Sequence, residues 1–111
     1  MDRVDHWREL IKGIIREYAE FDPSTPEVVV ETVFDDEHGH YELVHVGREG
    51  SRRIDGASLH VDVRHDRIWI QHDGTEEGIT RRLLDAGVKP KEIVLGFHAP
   101  SQRHLTRYAV G

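Results

Sequence analysis

Residues 59–72, LHVDVRHDRIWIQH, limit the fold of this chain more than any other stretch. Two alternating runs meet at His65-Asp66, and a two-residue connection fixes which side chains face one another. It sets Val63 opposite Ile68 and Val61 opposite Ile70 on one face. Asp62 then faces Trp69, and His60 faces Gln71, on the other. The apolar row is long enough to bury one face of a sheet. The turn is weaker than an Asn-Gly turn, because both of its residues must adopt positive φ.

The flanking segments supply partners for that row. Residues 2–21 read as an amphipathic helix, with Val4, Trp7, Leu10, Ile11, Ile14, Ile15, Tyr18 and Phe21 within an arc roughly 140° wide. Asp5, Glu9, Lys12, Arg16 and Glu20 take the opposite side, and the broad apolar stripe suits packing on a sheet. Residues 22–26, DPSTP, end the helix in an extended linker. Strands are expected at 27–34, 41–47, 54–63 and 68–72. The loop at 35–40 carries the turn glycine Gly39, Gly50 marks another turn, and Gly56 is a candidate bulge. Thr75 reads as an N-cap with Glu76 and Glu77 in the first turn. Ile79, Leu83, Leu84 and Ala86 face inward there, Arg81, Arg82 and Asp85 point away, and Gly87 is the C-cap glycine. The apolar run 93–97, IVLGF, reads as a fifth strand buried on both faces. Leu105, Tyr108 and Val110 suggest a docked tail. The expected fold is therefore α+β: an N-terminal helix on an antiparallel four-stranded meander, then a second helix, a fifth strand and a C-terminal tail.

At 111 residues with 37% hydrophobic content, the chain supports one domain, 1–111, and one modest core with a radius of gyration of roughly 13 Å. It has no cysteine, which excludes disulfides and cysteine-based zinc sites. It has no apolar run of membrane-spanning length, and its N-terminus is not signal-like, so a cytoplasmic protein without membrane contact is expected. The formal net charge of −6 is uneven. Residues 1–37 hold 11 acids and 4 bases, and the remainder carries a net charge of +1. A uniformly basic nucleic-acid binder is disfavoured. The acidic front third suits a basic protein partner.

No motif announces chemistry. Nine histidines raise a metal hypothesis, and His38 and His40 share a face if extended. No helical His pair accompanies them, and the reading adopted is scattered surface and hydrogen-bonding histidines with no metal and no cofactor. Ser58 and Ser101 lie in no nucleophile elbow, and no glycine loop has phosphate-binding context, so no catalytic residue is expected. Trp69 is more informative. It falls on the sheet face away from the helix, among polar groups, as at an interface, or else under the second helix or the tail. Arg81, Arg82, Lys89, Lys91, Arg103 and Arg107 make the last third basic, without any helix-turn-helix or stacking platform.

HYELVHVG at 40–47, RRIDGASLHVDVRHDRIWIQHDGTE at 52–76 and GVKPKEIVLGFHAP at 87–100 together resemble the fdxN element excision controlling factor family, XisI. The N-terminal helix and the closing YAVG match too. IWIQ after a hairpin turn and IVLGFH-x-P are the distinctive pieces. The chain departs from the family at Asp66, where a glycine is common, and at Ala99, where a second proline is frequent.

The resemblance implies a non-enzymatic accessory factor that controls excision of a DNA element. It implies action with a XisH-type companion beside a site-specific recombinase, and a homo-oligomer with Trp69 or the strand-five edge at a subunit contact. On this reading the partner-binding residues are Trp69, Gln71 and His60 on the polar-aromatic face, and Phe97, His98 and Pro100 after the last strand. Two alternatives stand beside it. One is an antitoxin-like inhibitor whose acidic helix masks a nuclease-like companion, and the other is direct DNA contact by the basic last third.

Overall fold

The computed structural model describes residues 2–75 and 78–111. Its frame is a five-stranded sheet in sequence order: β1 (Val28–Asp35), β2 (His40–Glu49), β3 (Arg52–Arg64), β4 (Arg67–Asp73) and β5 (Ile93–Leu95). The first four pair antiparallel, as expected of a meander. β5 pairs parallel to β4, which requires a crossover. Helix α2 (Ile79–Asp85) and a 3-10 turn (Pro90–Glu92) supply it.

The β3–β4 hairpin forms as its sequence dictates. His65 and Asp66 take φ of 51° and 55°, the pair of left-handed residues that a type I′ turn needs. Val63 meets Ile68, Asp62 meets Trp69 and Val61 meets Ile70. The register then slips by one, so His60 pairs with His72 rather than with Gln71. Gln71 becomes the extra residue of a β-bulge. The other bulge falls at Ser58 and not at Gly56, which pairs regularly with His45. A polar contact chooses that position: Ser58 Oγ lies 2.9 Å from His45 Nε2.

Helix α1 (Arg3–Phe21) starts at an Asp2 cap whose Oδ1 accepts from the Asp5 amide at 2.9 Å. Trp7, Ile11, Ile14 and Ile15 are buried on it, against a sheet face made of Tyr41, Leu43, Leu59, Val61, Val63, Ile68 and Ile70. Two positions break the simple stripe. Phe21, placed by its spacing on the apolar side, is 92% exposed because it is the last residue of the helix. Lys12, placed on the polar side, is only 9% exposed. Its ammonium donates to Asp36 Oδ2 at 2.6 Å and lies 3.6 Å from Glu9, so a buried stem carries a paired head. Asp36 also accepts from the Tyr41 hydroxyl at 2.8 Å. One carboxylate in the β1–β2 turn thus ties helix to sheet.

Ile79 and Leu83 of α2, with Val88, complete the core on the same side as α1. The helix does not begin at Thr75. It begins at Ile79, whose amide donates to Asp73 Oδ2 at 2.8 Å, while Thr75 bonds to Asp73 Oδ1 through its amide and hydroxyl. Glu76 and Glu77, expected in the first turn, lie outside the described residues. Gly87 follows the helix with φ of 99° and donates to the Leu84 carbonyl. Arg82 does not point away: it pairs with Glu17 of α1 and lies over the Tyr18 ring.

The segments flanking the sheet also follow its borders. Ser24 Oγ takes the Val30 amide at 2.8 Å, and Thr25 bonds Val28 through both its amide and its hydroxyl. At the other end the Ala109 amide donates to the Ile93 carbonyl at 2.8 Å, and Ala109 bridges Val94. The tail docks by Ala109 and half-buried Tyr108, whereas Leu105 and Val110 are exposed. It occupies the strand-five edge expected at a subunit contact. Ile93 and Val94 are fully buried, as a strand covered on both faces should be, but the strand stops at Leu95 and Phe97 is exposed. The radius of gyration, 14.6 Å, exceeds the expected value because the β2–β3 hairpin is long.

Replacing Asp36 by Ala leaves the Lys12 ammonium with Glu9 alone and the Tyr41 hydroxyl without an acceptor. With the carboxylate half exposed, the expected loss is about 1–2 kcal/mol. It is read as a lower urea midpoint at unchanged slope.

Candidate functional site

The alternation that buries Val61 and Ile70 under α1 sends Asp62 and Trp69 to the opposite face. Asp62 is 4% exposed, and a carboxylate so buried must be hydrogen-bonded. Its Oδ1 lies 2.7 Å from His40 Nδ1 and 2.8 Å from His60 Nε2, and its Oδ2 accepts from Gln71 Nε2 at 3.1 Å. Three strands therefore supply donors to one acid: β2 through His40, β3 through His60, and β4 through Gln71. The bulge at Gln71 places its amide two residues beyond Trp69 and within reach of Asp62. Glu42 Oε1 stands 3.5 Å from the other nitrogen of His60.

Burial works to raise the pKa of Asp62, but the hydrogen bonds from His40 and His60 outweigh it and hold the carboxyl below its ordinary value. The bond to Asp62 raises the pKa of His40 against a smaller opposing effect of desolvation. The His40 ring also packs against its neighbours. It lies near-parallel to His38 with centroids 6.3 Å apart, and edge-on to His60 at 6.1 Å. Gly39 makes the close approach of this turn to β3 feasible. Its φ is 73°, and a Cβ there would lie 2.2 Å from the Val63 carbonyl oxygen.

Trp69 is half-buried beside this network. Arg64 and Arg103 place guanidinium carbons 4.3 and 5.4 Å from its ring centroid, which is cation–π distance. Arg103 belongs to α3 (Pro100–Arg103), and its guanidinium also donates to the carbonyls of His98 and Gly96. The tail therefore covers the indole in part, and among the described residues the indole Nε1 has no hydrogen-bond partner. Phe97 is 54% exposed, with its ring 4.6 Å from that of His98, and Pro100 opens α3.

The six residues expected from sequence thus fall into two groups. His60, Gln71 and Trp69 gather around Asp62. Phe97, His98 and Pro100 form a shoulder, linked to Trp69 through Arg103. Sequence reasoning missed Asp62, His40 and Arg103 as members. The available signal was an acid between two valines in a strand, with His60 two residues before it on the same face.

Further along the same face, Val29, Val33 and Val46 are exposed, and the sheet there is uncovered. The basic residues of the last third are drawn into internal contacts. Arg81 pairs with Asp85, Arg82 with Glu17, Lys91 reaches the Tyr108 carbonyl, and Arg107 lies over Tyr108. A cleft of about 700 Å³ lies on the helix side, lined by Tyr18, Phe21, His45, Ser58 and Thr75 among others. His45 and Ser58 meet there, but among the described residues no carboxylate orients the imidazole, so a nucleophilic triad is not assembled.

Fold and site define a small α+β domain whose sheet is clad by helices on one face and presents a buried, histidine-flanked acid and open valines on the other. The chain belongs to the XisI family: it matches the family described as XisI protein over residues 1–110. It is similar to a solved XisI-like protein of Anabaena variabilis ATCC 29413, with 34% identity and a TM-score of 0.93 over 98% of this chain and 100% of that one. It is likewise similar to the fdxN element excision controlling factor XisI of the same organism, with 32% identity and a TM-score of 0.87 over 99% and 100% of the two chains. No curated protein matches it. Among the described residues, no helix is long and apolar enough to cross a membrane.

The linked titrations set a pH window. The raised pKa of His40 means its pairing stabilises the fold fully below the ordinary value of 6.5 and is lost as pH rises through the folded value. The lowered pKa of Asp62 means its contribution holds above 3.8 and is lost as pH falls through the folded value. Ring resonances of His40 are expected to titrate with a midpoint above 6.5. Urea midpoints measured across the pH range should decline as pH rises from 6.5 through that midpoint in the native protein, and His40→Gln should flatten the decline.

Proposed function

We propose that this chain is a non-enzymatic controlling factor for excision or rearrangement of a DNA element, acting through protein contact. Its partner on this reading is a XisH-type companion, with a site-specific recombinase engaged indirectly through that companion. The observation that carries it is the one-sided sheet. Both larger helices lie on one face, and the other face offers apolar side chains beside a rigid polar cluster, the make-up of an interface centre and its rim. Membership of the XisI family, with a fdxN excision controlling factor among the similar structures, supports the biological setting. Trp69, Gln71 and His60 are the contacts at the centre, and Phe97, His98 and Pro100 extend the surface along the shoulder. Direct DNA contact has weaker support, because five of the six basic residues of the last third contact their own chain.

A second reading has its own observation. Glu20, Asp22, Glu27 and Glu31 are exposed along the end of α1 and the start of β1, an acidic strip suited to masking a basic, nuclease-like companion.

Co-expression of the chain with its XisH-type neighbour, followed by pull-down, tests both. Val33→Arg and Val46→Arg, on exposed positions of the open face, should leave the fold intact and abolish co-purification. Trp69→Ala should weaken binding about thirtyfold or more, the equivalent of about 2 kcal/mol. If only Glu20→Arg and Glu27→Arg weaken binding, and binding falls steeply with salt, the acidic-strip reading replaces the first. Full binding by all of these variants removes both.

A further inference from the structure

We propose that His40, His60 and Asp62 form a binding site for one divalent first-row transition-metal ion, of which zinc is the representative. The inference stands apart from the excision reading and requires no partner protein. It starts from convergence. One ring nitrogen of His40, one of His60 and a carboxylate oxygen of Asp62 all lie within 4.8 Å of one another. Two imidazoles and a carboxylate form a donor set that suits zinc and its neighbours and is ill-matched to magnesium or calcium, which prefer all-oxygen shells.

The spacing is close to what an ion requires. Ligand atoms around a tetrahedral zinc with bonds of about 2.0–2.1 Å stand roughly 3.4 Å apart. Here the two nitrogens lie 2.7 and 2.8 Å from Asp62 Oδ1. Withdrawing each ring by roughly half an ångström opens the position. Asp62 sits on β3 between two paired strands and serves as the fixed ligand, while the half-exposed His40 ring has room to move.

The surroundings distinguish this cluster from a chance meeting of surface histidines. Metal-bound histidine and carboxylate groups are as a rule held from behind by outer hydrogen bonds. Gln71 Nε2 holds the second oxygen of Asp62 at 3.1 Å, and Glu42 Oε1 lies 3.5 Å behind the free nitrogen of His60. The fourth position faces solvent beside His40, within reach of water or of an incoming donor. Binding needs both imidazole nitrogens bare, so each ring releases to solvent, or moves to its other nitrogen, the proton it shares with Asp62.

Calorimetric titration of the full chain with zinc tests the site, with magnesium as the comparison ion. The expected result is one zinc per chain, no magnesium heat, and at least a tenfold loss of zinc affinity in the His40→Ala/His60→Ala double variant. Cobalt(II) substitution should give the strong visible absorption of a tetrahedral site, absent from that variant. Because Asp62 is buried, Asp62→Asn risks unfolding, and the exposed His40→Ala single variant keeps the test valid. A His6→Ala/His104→Ala variant, altered at exposed histidines elsewhere, should bind zinc like the native chain. No zinc binding, or equal binding by the native chain and the His40→Ala/His60→Ala variant, overturns the proposal.

Discussion

A carboxylate that three strands must satisfy governs the outer half of this molecule. Val61, Asp62 and Val63 are all buried, so the middle of β3 is enclosed on both faces. On one side it is covered by apolar packing, which tolerates small displacements. On the other it depends on directional bonds to His40, His60 and Gln71, which do not. A register shift of one residue would send Asp62 under α1 and the valines to the polar side. The pairing of β2, β3 and β4 is therefore fixed by a polar group as firmly as by the core.

The elements legible in the sequence were those whose signal is local and periodic. The helix stripe, the alternation in β3 and β4, and the His65-Asp66 turn each follow from side chains a few residues apart. What escaped was set by contacts between distant segments. The Ser58 bulge answers to His45, thirteen residues earlier, whereas conformational freedom alone favours Gly56. The polar helix position of Lys12 points to solvent, yet Asp36 in the β1–β2 turn draws its head over the core edge. The capping chemistry of Thr75 points to a helix start there, whereas Asp73 receives the first helical amide from the end of β4. The slip at Gln71 is a similar case: hairpin geometry fixes the first four pairs and says nothing about the fifth.

The candidate site was legible in part, for the same reason. Trp69, His60 and Gln71 were reached by alternation, which identifies a face without identifying its centre. Asp62 is that centre because it is buried among His40, His60 and Gln71, and the contribution of His40 from β2 and of the bulged Gln71 is not described by alternation in a hairpin. Charge along the chain misled in a related way. The basic last third reads as a patch when counted, but folding pairs Arg82 with Glu17 and stacks Arg103 on Trp69, so much of the positive charge is spent within the molecule.

The bonding of Ser24 and Thr25 to β1, and of Ala109 to β5, has a consequence for self-association. A sheet with bare rims can recruit another chain by strand addition, and repeated recruitment gives fibrils. Here one rim is short and already occupied by the tail, and the other has its first half quenched by hydroxyl and amide groups of the preceding linker. Open-ended growth along the ladder direction is thereby discouraged. What the sheet leaves open to contact is its broad surface, which presents side chains and not backbone.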